Sequence, residues 1–128
     1  GVFVMADEEQ ISQVFVNIIR NAIQALSNSH TSAAEETKQS LTSPDIIVML
    51  NSTYSSKEIE ISISDNGPGI PAAIQSSIFR PNFTTKSNGN GLGLAISKRI
   101  VEGTGGRITF ESSEKGTTFF VYLKKKKR

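Results

Sequence analysis

Two asparagines near the start of the sequence have the spacing of metal or phosphate ligands on a helix. Asn17 and Asn21 lie one helical turn apart, at the border of a stretch whose apolar residues recur every three or four positions. Their carboxamides can therefore face one ligand, and an amide oxygen is an acceptable ligand for Mg²⁺. The alternative is a solvated polar flank of the helix, although asparagine is a mediocre helix former that such a flank seldom needs twice.

A carboxylate stands at the end of a strand pattern in the middle of the chain. Asp65 follows a stretch in which isoleucine alternates with polar residues, and Asn-Gly-Pro-Gly follows it at 66–69. The glycines allow backbone to approach a ligand, and the carboxylate can accept a hydrogen bond from an exocyclic amine such as that of adenine. A charge-assisted bond of this kind contributes about 1.5–3 kcal/mol. An ordinary Asp-Asn-Gly turn is the alternative.

Three glycines at alternate positions, Gly89, Gly91 and Gly93, lie where a helical pattern begins. Backbone amides before a helix form an anion site, because unpaired N–H groups and the helix dipole both favour phosphate. The spacing is neither that of a Walker loop nor that of the dinucleotide fingerprint, and GxGxG alone also fits a flexible turn. Gly93 lies inside the helix predicted for 92–102, where glycine costs about 1 kcal/mol relative to alanine. Either something compensates for that cost or the helix begins later.

The elements that must position these groups are a mixture of helices and strands. Hairpins among the strands favour a layered α/β sandwich with a mostly antiparallel sheet over a doubly wound parallel sheet. The stretch at 27–44 is rich in serine and threonine, which predicts an insertion loop. The predicted elements are a strand at 1–6, helices at 7–26, 72–79 and 92–102, and strands at 45–50, 58–64, 107–112 and 117–123.

Length, composition and charge narrow the class of protein. The 128 residues, 37% hydrophobic and 20% charged, fit one globular domain, and the absence of cysteine excludes disulfides and thiolate metal sites. No apolar run approaches the roughly 20 residues of a membrane span. The net charge of +2 depends on the basic tail at 124–128, which is expected to be solvated rather than bound to nucleic acid. The chain is interpreted as a piece of a larger protein.

Taken in order, four motifs resemble those of the ATP-binding catalytic domain of sensor histidine kinases, within the superfamily that includes gyrase, MutL and pyruvate dehydrogenase kinase. QVFVNIIRNAIQAL resembles the asparagine box of that family, and DNGPGI resembles its first glycine box. IFRPNFTTK is similar to its phenylalanine box, and GNGLGLAISKRIVEGTGGRI to its second glycine box with the helix and strand beyond. The stretches NIIRNAIQAL and FTTK are similar to the nitrogen-regulatory branch.

The resemblance implies a two-layer Bergerat-type α/β sandwich, in which a mixed, mostly antiparallel sheet packs on about three helices. It implies that residues 1–123 are the ATP-binding catalytic domain. Within that domain, 27–44 is the insertion loop and 72–90 is an ATP lid. The basic tail at 124–128 follows the domain.

Each matched motif implies roles for single residues. Asp65 would accept a hydrogen bond from the adenine amine, and Thr118 would support the base through water. Asn21 would ligate Mg²⁺, Asn17 would lie close to the phosphates, and Lys86 could reach the terminal phosphate. Asn17 and Lys86 are the implied catalytic residues. Phe79 and Phe83 would anchor the lid, and the other implied nucleotide contacts are Gly67, Gly69, Ile70, Thr84, Thr85, Gly89, Gly91, Leu92, Gly93 and Leu94.

The resemblance also implies a reaction. Relatives that hydrolyse ATP have glutamate where Asn17 stands, and asparagine cannot accept a proton at neutral pH. The site is therefore better suited to holding ATP for an incoming nucleophile. The domain would donate the γ-phosphate of Mg-ATP to a histidine on an upstream dimerisation domain, for two-component signalling through a response regulator. It would be cytoplasmic, with no nucleic acid partner and no direct membrane contact.

Two alternatives stay open. Gln24, Arg80 and Asn82 depart from the family pattern, which leaves room for an ATP-binding regulatory module without phosphotransfer. A serine kinase of the anti-sigma type shares the four boxes. An upstream histidine in a His-acid dipeptide on a helix would argue against the serine kinase.

Overall fold

The computed structural model describes Val4 and residues 6–29, 45–52, 57–81 and 93–125. These residues form two layers, a four-stranded antiparallel sheet and the helices packed on one of its faces. The predicted two-layer α/β sandwich with an antiparallel sheet is therefore confirmed. The elements are α1 (Glu8–Ser29), β1 (Ile46–Ser52), β2 (Glu58–Asp65), a 3₁₀ helix (Ala72–Ser77), α2 (Gly93–Gly103), β3 (Arg107–Ser113) and β4 (Gly116–Lys124).

The sequence supplies α1 with a cap at its start and an apolar face along its length. Asp7 Oδ1 accepts hydrogen bonds from the backbone amides of Glu9 at 2.9 Å and Gln10 at 3.2 Å, so Asp7 is the N-cap rather than the first helical residue. α1 continues to Ser29, beyond the predicted end, because residues 27–29 contain neither glycine nor proline to stop it. The buried apolar residues of α1, spaced one turn apart, are Val14, Ile18, Ala22 and Leu26.

The sheet brings the end of β2 beside the start of β4. The strands lie in the order β1-β2-β4-β3, and every neighbouring pair is antiparallel. Asp65 at the end of β2 pairs with Thr117 at the start of β4. Alternate residues of the two central strands point towards the helices, and the buried apolar ones are Ile59, Ile63, Phe119, Val121 and Leu123.

Several predicted elements differ in detail from the observed ones. The predicted short helix is a 3₁₀ helix that ends at Ser77. Of the strand predicted at 1–6, Val4 forms an isolated antiparallel bridge with Lys125, and four of the other residues lie outside the described ones. Most of the predicted insertion, residues 30–44, also lies outside them. Of the helices within the described ranges, none combines the length and apolarity that crossing a membrane requires.

Three phenylalanines pack together where the 3₁₀ helix ends. The ring centroid of Phe79 lies 5.9 Å from that of Phe110 on β3 and 6.4 Å from that of Phe119 on β4. Lys98 of α2 places its Nζ 5.4 Å from the Phe79 centroid. Phe79 is therefore a packing residue that ties this segment to the sheet and to α2. Its role as a lid anchor stays a prediction, because residues 82–92 lie outside the described part of the chain.

Candidate functional site

Asn17 joins the middle of α1 to the first turn of α2. Its Nδ2 donates hydrogen bonds to the carbonyl oxygen of Gly93 at 3.2 Å and to Oγ of Ser97 at 3.3 Å. The Ser97 hydroxyl is fully buried and donates to the same carbonyl at 2.8 Å. These contacts orient the carboxamide of Asn17. Its nitrogen donates to α2, and its oxygen has the chemistry of a cation ligand.

Gly93 is the first described residue of α2, and residue 92, where the predicted helix begins, lies outside the described part of the chain. A Cβ at Gly93 would lie 3.8 Å from Cγ of Asn17, an ordinary contact, so packing against Asn17 does not require glycine. Leu94 follows and packs half-buried against the core. The first turn of α2, whose N–H groups favour an anion, thus lies against Asn17.

The other end of the site lies further along the same side of α1. Gly67, just after β2, is buried, and a Cβ on it would lie 3.4 Å from Cβ of Ala25. At 1.5 Å per residue, Asn17 and Ala25 are about 12 Å apart along the helix axis. Asn21 is half-buried and lies between them, one turn from each. One side of α1 therefore connects the first turn of α2 to the loop after β2.

Two backbone amides hold the carboxylate of Asp65 at the end of β2. The Gly67 N–H donates to Oδ1 at 2.9 Å, and the amide of Thr117 also hydrogen-bonds this carboxylate. Burial nevertheless raises the pKa of Asp65 above the ordinary value, because desolvation penalises the charged form more than the two amides stabilise it. A half-buried carboxylate of this kind suits a ligand that brings its own hydrogen-bond donor.

The loop after β2 approaches the β3–β4 hairpin so closely that a side chain does not fit. Gly69 has a φ of 82°, and a Cβ there would lie 2.0 Å from the carbonyl oxygen of Ser113. Ile70 donates its backbone N–H to Oγ of Ser112 at 2.7 Å, and Gln75 Nε2 donates to the Ile70 carbonyl oxygen at 2.9 Å. Gly69 and Ile70 therefore fix the path of the loop, and their predicted contact with a ligand stays a prediction.

Alanine at Gly67 is expected to destabilise the fold, and alanine at Gly103 is not. A Cβ at Gly67 would lie 3.0 Å from Oδ1 of Asp65, so the carboxylate must shift, whereas a Cβ at Gly103 meets nothing within 4 Å. We expect Gly67→Ala to lower the free energy of unfolding by about 1–3 kcal/mol, the usual range for overpacking. Gly103→Ala, the matched control, should leave it unchanged or slightly higher. Urea unfolding measures both, and equal losses would contradict the packing described here.

Thr118 does not lie beside Asp65, so the prediction that it supports a base there is wrong. Thr118 pairs with Ser64, and their hydroxyl oxygens are 2.8 Å apart on the face of the sheet that points away from the helices. Side chains alternate between the two faces along a strand, so Thr117, which pairs with Asp65, points towards the helices and is buried. Its Oγ1 lies 2.9 Å from Oγ of Ser112. Thr117, rather than Thr118, therefore shares the helix side of the sheet with Asp65, a placement that the sequence interpretation missed.

The remaining predicted site residues fall into two groups, those that the structure describes and those outside the described ranges. The described ones form two clusters. Asn17, Gly93 and Leu94 meet where α1 contacts α2, and Asp65 and Gly67 meet at the end of β2. The other predicted site residues lie outside the described residues: Phe83, Thr84, Thr85, Lys86, Gly89, Gly91 and Leu92. The ligand-binding roles of both groups stay predictions.

Known proteins similar to this chain share most of its length. The family model described as histidine kinase-, DNA gyrase B- and HSP90-like ATPase matches residues 6–127. The chain is 36% identical over 125 residues to the C4-dicarboxylate transport sensor protein DctB of Rhizobium meliloti, covering 98% of this chain and 18% of that protein. It is 36% identical over 122 residues to the sensory histidine kinase/phosphatase NtrB of the same organism, covering 94% of this chain and 31% of that protein. The chain thus spans less than a third of either relative.

Solved structures show the same architecture. The nucleotide-free catalytic domain of histidine kinase ThkA matches with a TM-score of 0.74 and 34% identity, covering 95% of this chain and 70% of that one. The mycobacterial sensor histidine kinase MprB matches with a TM-score of 0.72 at 24% identity, which supports the fold. The likeness therefore extends over nearly the whole chain, in sequence and in fold.

Proposed function

Because the chain belongs to the family of histidine kinase-, DNA gyrase B- and HSP90-like ATPases, we propose that it binds Mg-ATP along α1 and donates the γ-phosphate to a histidine. The chain is a kinase catalytic ATPase domain of the sensor histidine kinase type. One observation supports the proposal most directly. Asn17, Asn21 and Ala25 follow one side of α1, and they extend from the first turn of α2 to the loop beside Asp65.

The adenine lies at the end of β2 in this proposal. The carboxylate of Asp65 accepts a hydrogen bond from the exocyclic amine, a charge-assisted contact. Thr117, in place of Thr118, supports the base through a water molecule, since it faces the same side of the sheet as Asp65. Gly67 and Gly69 support the placement, because side chains at these two positions would fill or distort the loop beside the carboxylate.

The triphosphate lies at the first turn of α2. Amide oxygens are hard ligands, so Asn17 and Asn21 fit a nucleotide-bound Mg²⁺, with Asn21 as the metal ligand and Asn17 close to the phosphates. The helix terminus at Gly93 and Leu94 adds N–H groups that favour anionic oxygens. Mg²⁺, when bound, neutralises part of the phosphate charge. Lys86 is proposed to reach the terminal phosphate, as its motif implies.

Transfer rather than hydrolysis follows from the chemistry of Asn17. A carboxamide accepts no proton at neutral pH, and so Asn17 cannot activate water as a general base. In the transfer, a nitrogen of the acceptor imidazole bonds to the γ-phosphorus while the bond from that phosphorus to the β–γ bridging oxygen breaks, and ADP leaves. We therefore expect this chain alone to bind ATP with negligible turnover.

The proposed organisation places the catalytic domain at 1–123, with an insertion loop at 27–44, an ATP lid at 72–90 and a basic tail at 124–128. The acceptor histidine belongs to an upstream helical dimerisation domain of the same protein, and a response regulator receives the phosphate. We propose a cytoplasmic location for the domain. The names of the relatives support these assignments, since both are sensor proteins several times longer than this chain.

Phosphotransfer can be tested on the full-length natural protein with γ-labelled ATP. We expect a label that is stable in base and labile in acid, as a phosphohistidine is, and no label on this chain alone. The same assay on full-length Asn21→Ala protein is expected to lose the label, because the metal ligand is gone. Arg20→Ala, at the neighbouring exposed position, is the control for the substitution itself.

Each alternative function predicts a different result in that experiment. A regulatory module binds ATP but yields no protein-bound label in the full-length protein. A serine kinase yields a label that survives acid. Nucleotide binding without any acid-labile label would therefore overturn the proposed transfer, and a failure to bind ATP would overturn the proposed site as well.

A further inference from the structure

Ser112, on β3, lies at the junction of three parts of the site. Its Oγ accepts the backbone N–H of Ile70 at 2.7 Å and lies 2.9 Å from Oγ1 of Thr117. Thr117 is 5% exposed, so its hydroxyl depends on partners within the protein or on a ligand. Ser112 thus connects the loop after β2 to the threonine that faces the same side of the sheet as Asp65.

The hydrogen-bonding capacity of the two hydroxyls limits how they can be arranged. Each hydroxyl has one proton to donate and two lone pairs. Ser112 already uses one lone pair for the Ile70 N–H, which leaves its proton and one lone pair. If Ser112 donates to Thr117, the Thr117 proton is available to a ligand. If Thr117 donates to Ser112, it offers a ligand only a lone pair.

We infer that Ser112 is a positioning residue for base recognition, which donates to Thr117 so that the Thr117 hydroxyl donates towards N1 of adenine through one water. The inference rests on the proposed function. The edge of adenine presents an amine donor and the N1 acceptor, so it requires one acceptor and one donor from the protein. Asp65 is the acceptor, and the Ser112–Thr117 pair in this arrangement donates to the water that in turn donates to N1.

The same arrangement disfavours guanine. Guanine presents a carbonyl oxygen where adenine has its amine and an N–H where adenine has N1. The carbonyl oxygen would face the Asp65 carboxylate, acceptor against acceptor, whereas the bridging water could still accept the N–H. Asp65 therefore makes this discrimination. Ser112 strengthens adenine binding without touching the nucleotide, by fixing the direction of the Thr117 proton towards the bridging water.

An ATP analogue in which N1 is replaced by C–H separates this role from a structural one. The affinities of ATP and of the analogue are measured by calorimetry for the unsubstituted chain, for Ser112→Ala and for Ser112→Thr. We expect Ser112→Ala to weaken ATP binding by about threefold to tenfold, the usual worth of one hydrogen bond, and to leave analogue binding unchanged. Ser112→Thr keeps the hydroxyl and should bind ATP as the unsubstituted chain does.

Ser113→Ala is the matched control, because the exposed Ser113 accepts on its hydroxyl a hydrogen bond from a hairpin amide within the described residues, that of Lys115 at 3.1 Å. If Ser112→Ala fails to fold, as judged by thermal unfolding, Ser112→Cys repeats the test with a side chain closer in volume. Equal effects of Ser112→Ala on ATP and on the analogue, or no effect on either, would overturn the inference and leave the proposed function standing. A failure of the unsubstituted chain to bind ATP would overturn both.

Discussion

Replacing Asp65 with asparagine is expected to weaken ATP binding about 10- to 150-fold, because the charge-assisted hydrogen bond to the adenine amine contributes about 1.5–3 kcal/mol. The substitution keeps the size of the side chain and one acceptor oxygen for the Gly67 N–H. It also introduces an amide N–H₂ group that faces the adenine amine as donor against donor. Isothermal titration of ATP into the purified chain measures the loss.

The same substitution should not lower the stability of the ligand-free fold. Burial raises the pKa of Asp65 in the folded state, so the charged carboxylate destabilises that state above its ordinary pKa. The destabilisation is absent below the unfolded-state pKa and is complete above the raised folded-state pKa. At neutral pH we therefore expect Asp65→Asn to unfold at the same or a higher urea concentration than the unsubstituted chain. A variant that binds ATP less and folds no worse would identify Asp65 as a ligand-binding residue.

The raised pKa also gives ATP binding a pH dependence of known sign. Only the ionised carboxylate accepts from the amine without a competing proton, so affinity falls as pH falls through the pKa of Asp65. The decline begins at a higher pH than an ordinary aspartate would give. The ratio of the affinities of the unsubstituted chain and Asp65→Asn isolates this effect, because protonation of ATP itself changes both affinities alike.

Asp45→Asn is the matched control for Asp65→Asn. Asp45 is exposed at the start of β1, and its contacts with Asn66 are made by backbone atoms of Asp45. It should bind ATP as the unsubstituted chain does. Similar losses in the two variants would mean that the adenine site is misplaced.

The helices and the sheet could be predicted from local pattern because each face is specified by many residues. α1 repeats its apolar residues over several turns, and Asp7 marks its start within one residue. The alternation along β4 would also have placed Thr117 on the helix side of the sheet, since Thr117 lies in phase with the apolar residues that point towards the helices. Thr118 was implied by resemblance instead, and a shift of one residue along a strand moves the side chain to the opposite face.

Other features depend on contacts between distant parts of the chain and leave no local pattern. The apolar run of β1 is typical of a buried strand, yet Leu50 is 62% exposed, because the described helices pack mainly on β2, β3 and β4. Nothing in the sequence near Ser112 indicates that its hydroxyl meets Ile70, 42 positions away. The hydrogen bonds of Asn17 to Gly93 and Ser97 likewise required the packing of α1 on α2.

Replacing Asn17 with aspartate is expected to weaken ATP binding on the order of 100-fold at low salt, within the range of repulsion between like charges about 4 Å apart near a protein surface. Aspartate has the length of asparagine, so its carboxylate would stay beside Gly93, unlike that of the longer glutamate in the relatives that hydrolyse ATP. There it would repel the phosphates and would face the Gly93 carbonyl oxygen without a proton to donate. Asn17→Ala removes the same donor and adds no charge, so its loss should be smaller. The added loss in the aspartate variant measures the repulsion.

Salt separates the two contributions to that loss. Repulsion in a partly exposed site is screened, so the difference between Asn17→Asp and Asn17→Ala should shrink as ionic strength rises, whereas the loss common to both variants should persist. Asn51→Asp is the control for an added charge, because Asn51 lies exposed on β1, where its Nδ2 contacts Glu60 Oε1 at 3.0 Å. It should change ATP affinity little at any salt concentration. A salt-independent difference at Asn17 would mean that the phosphates do not lie beside the first turn of α2.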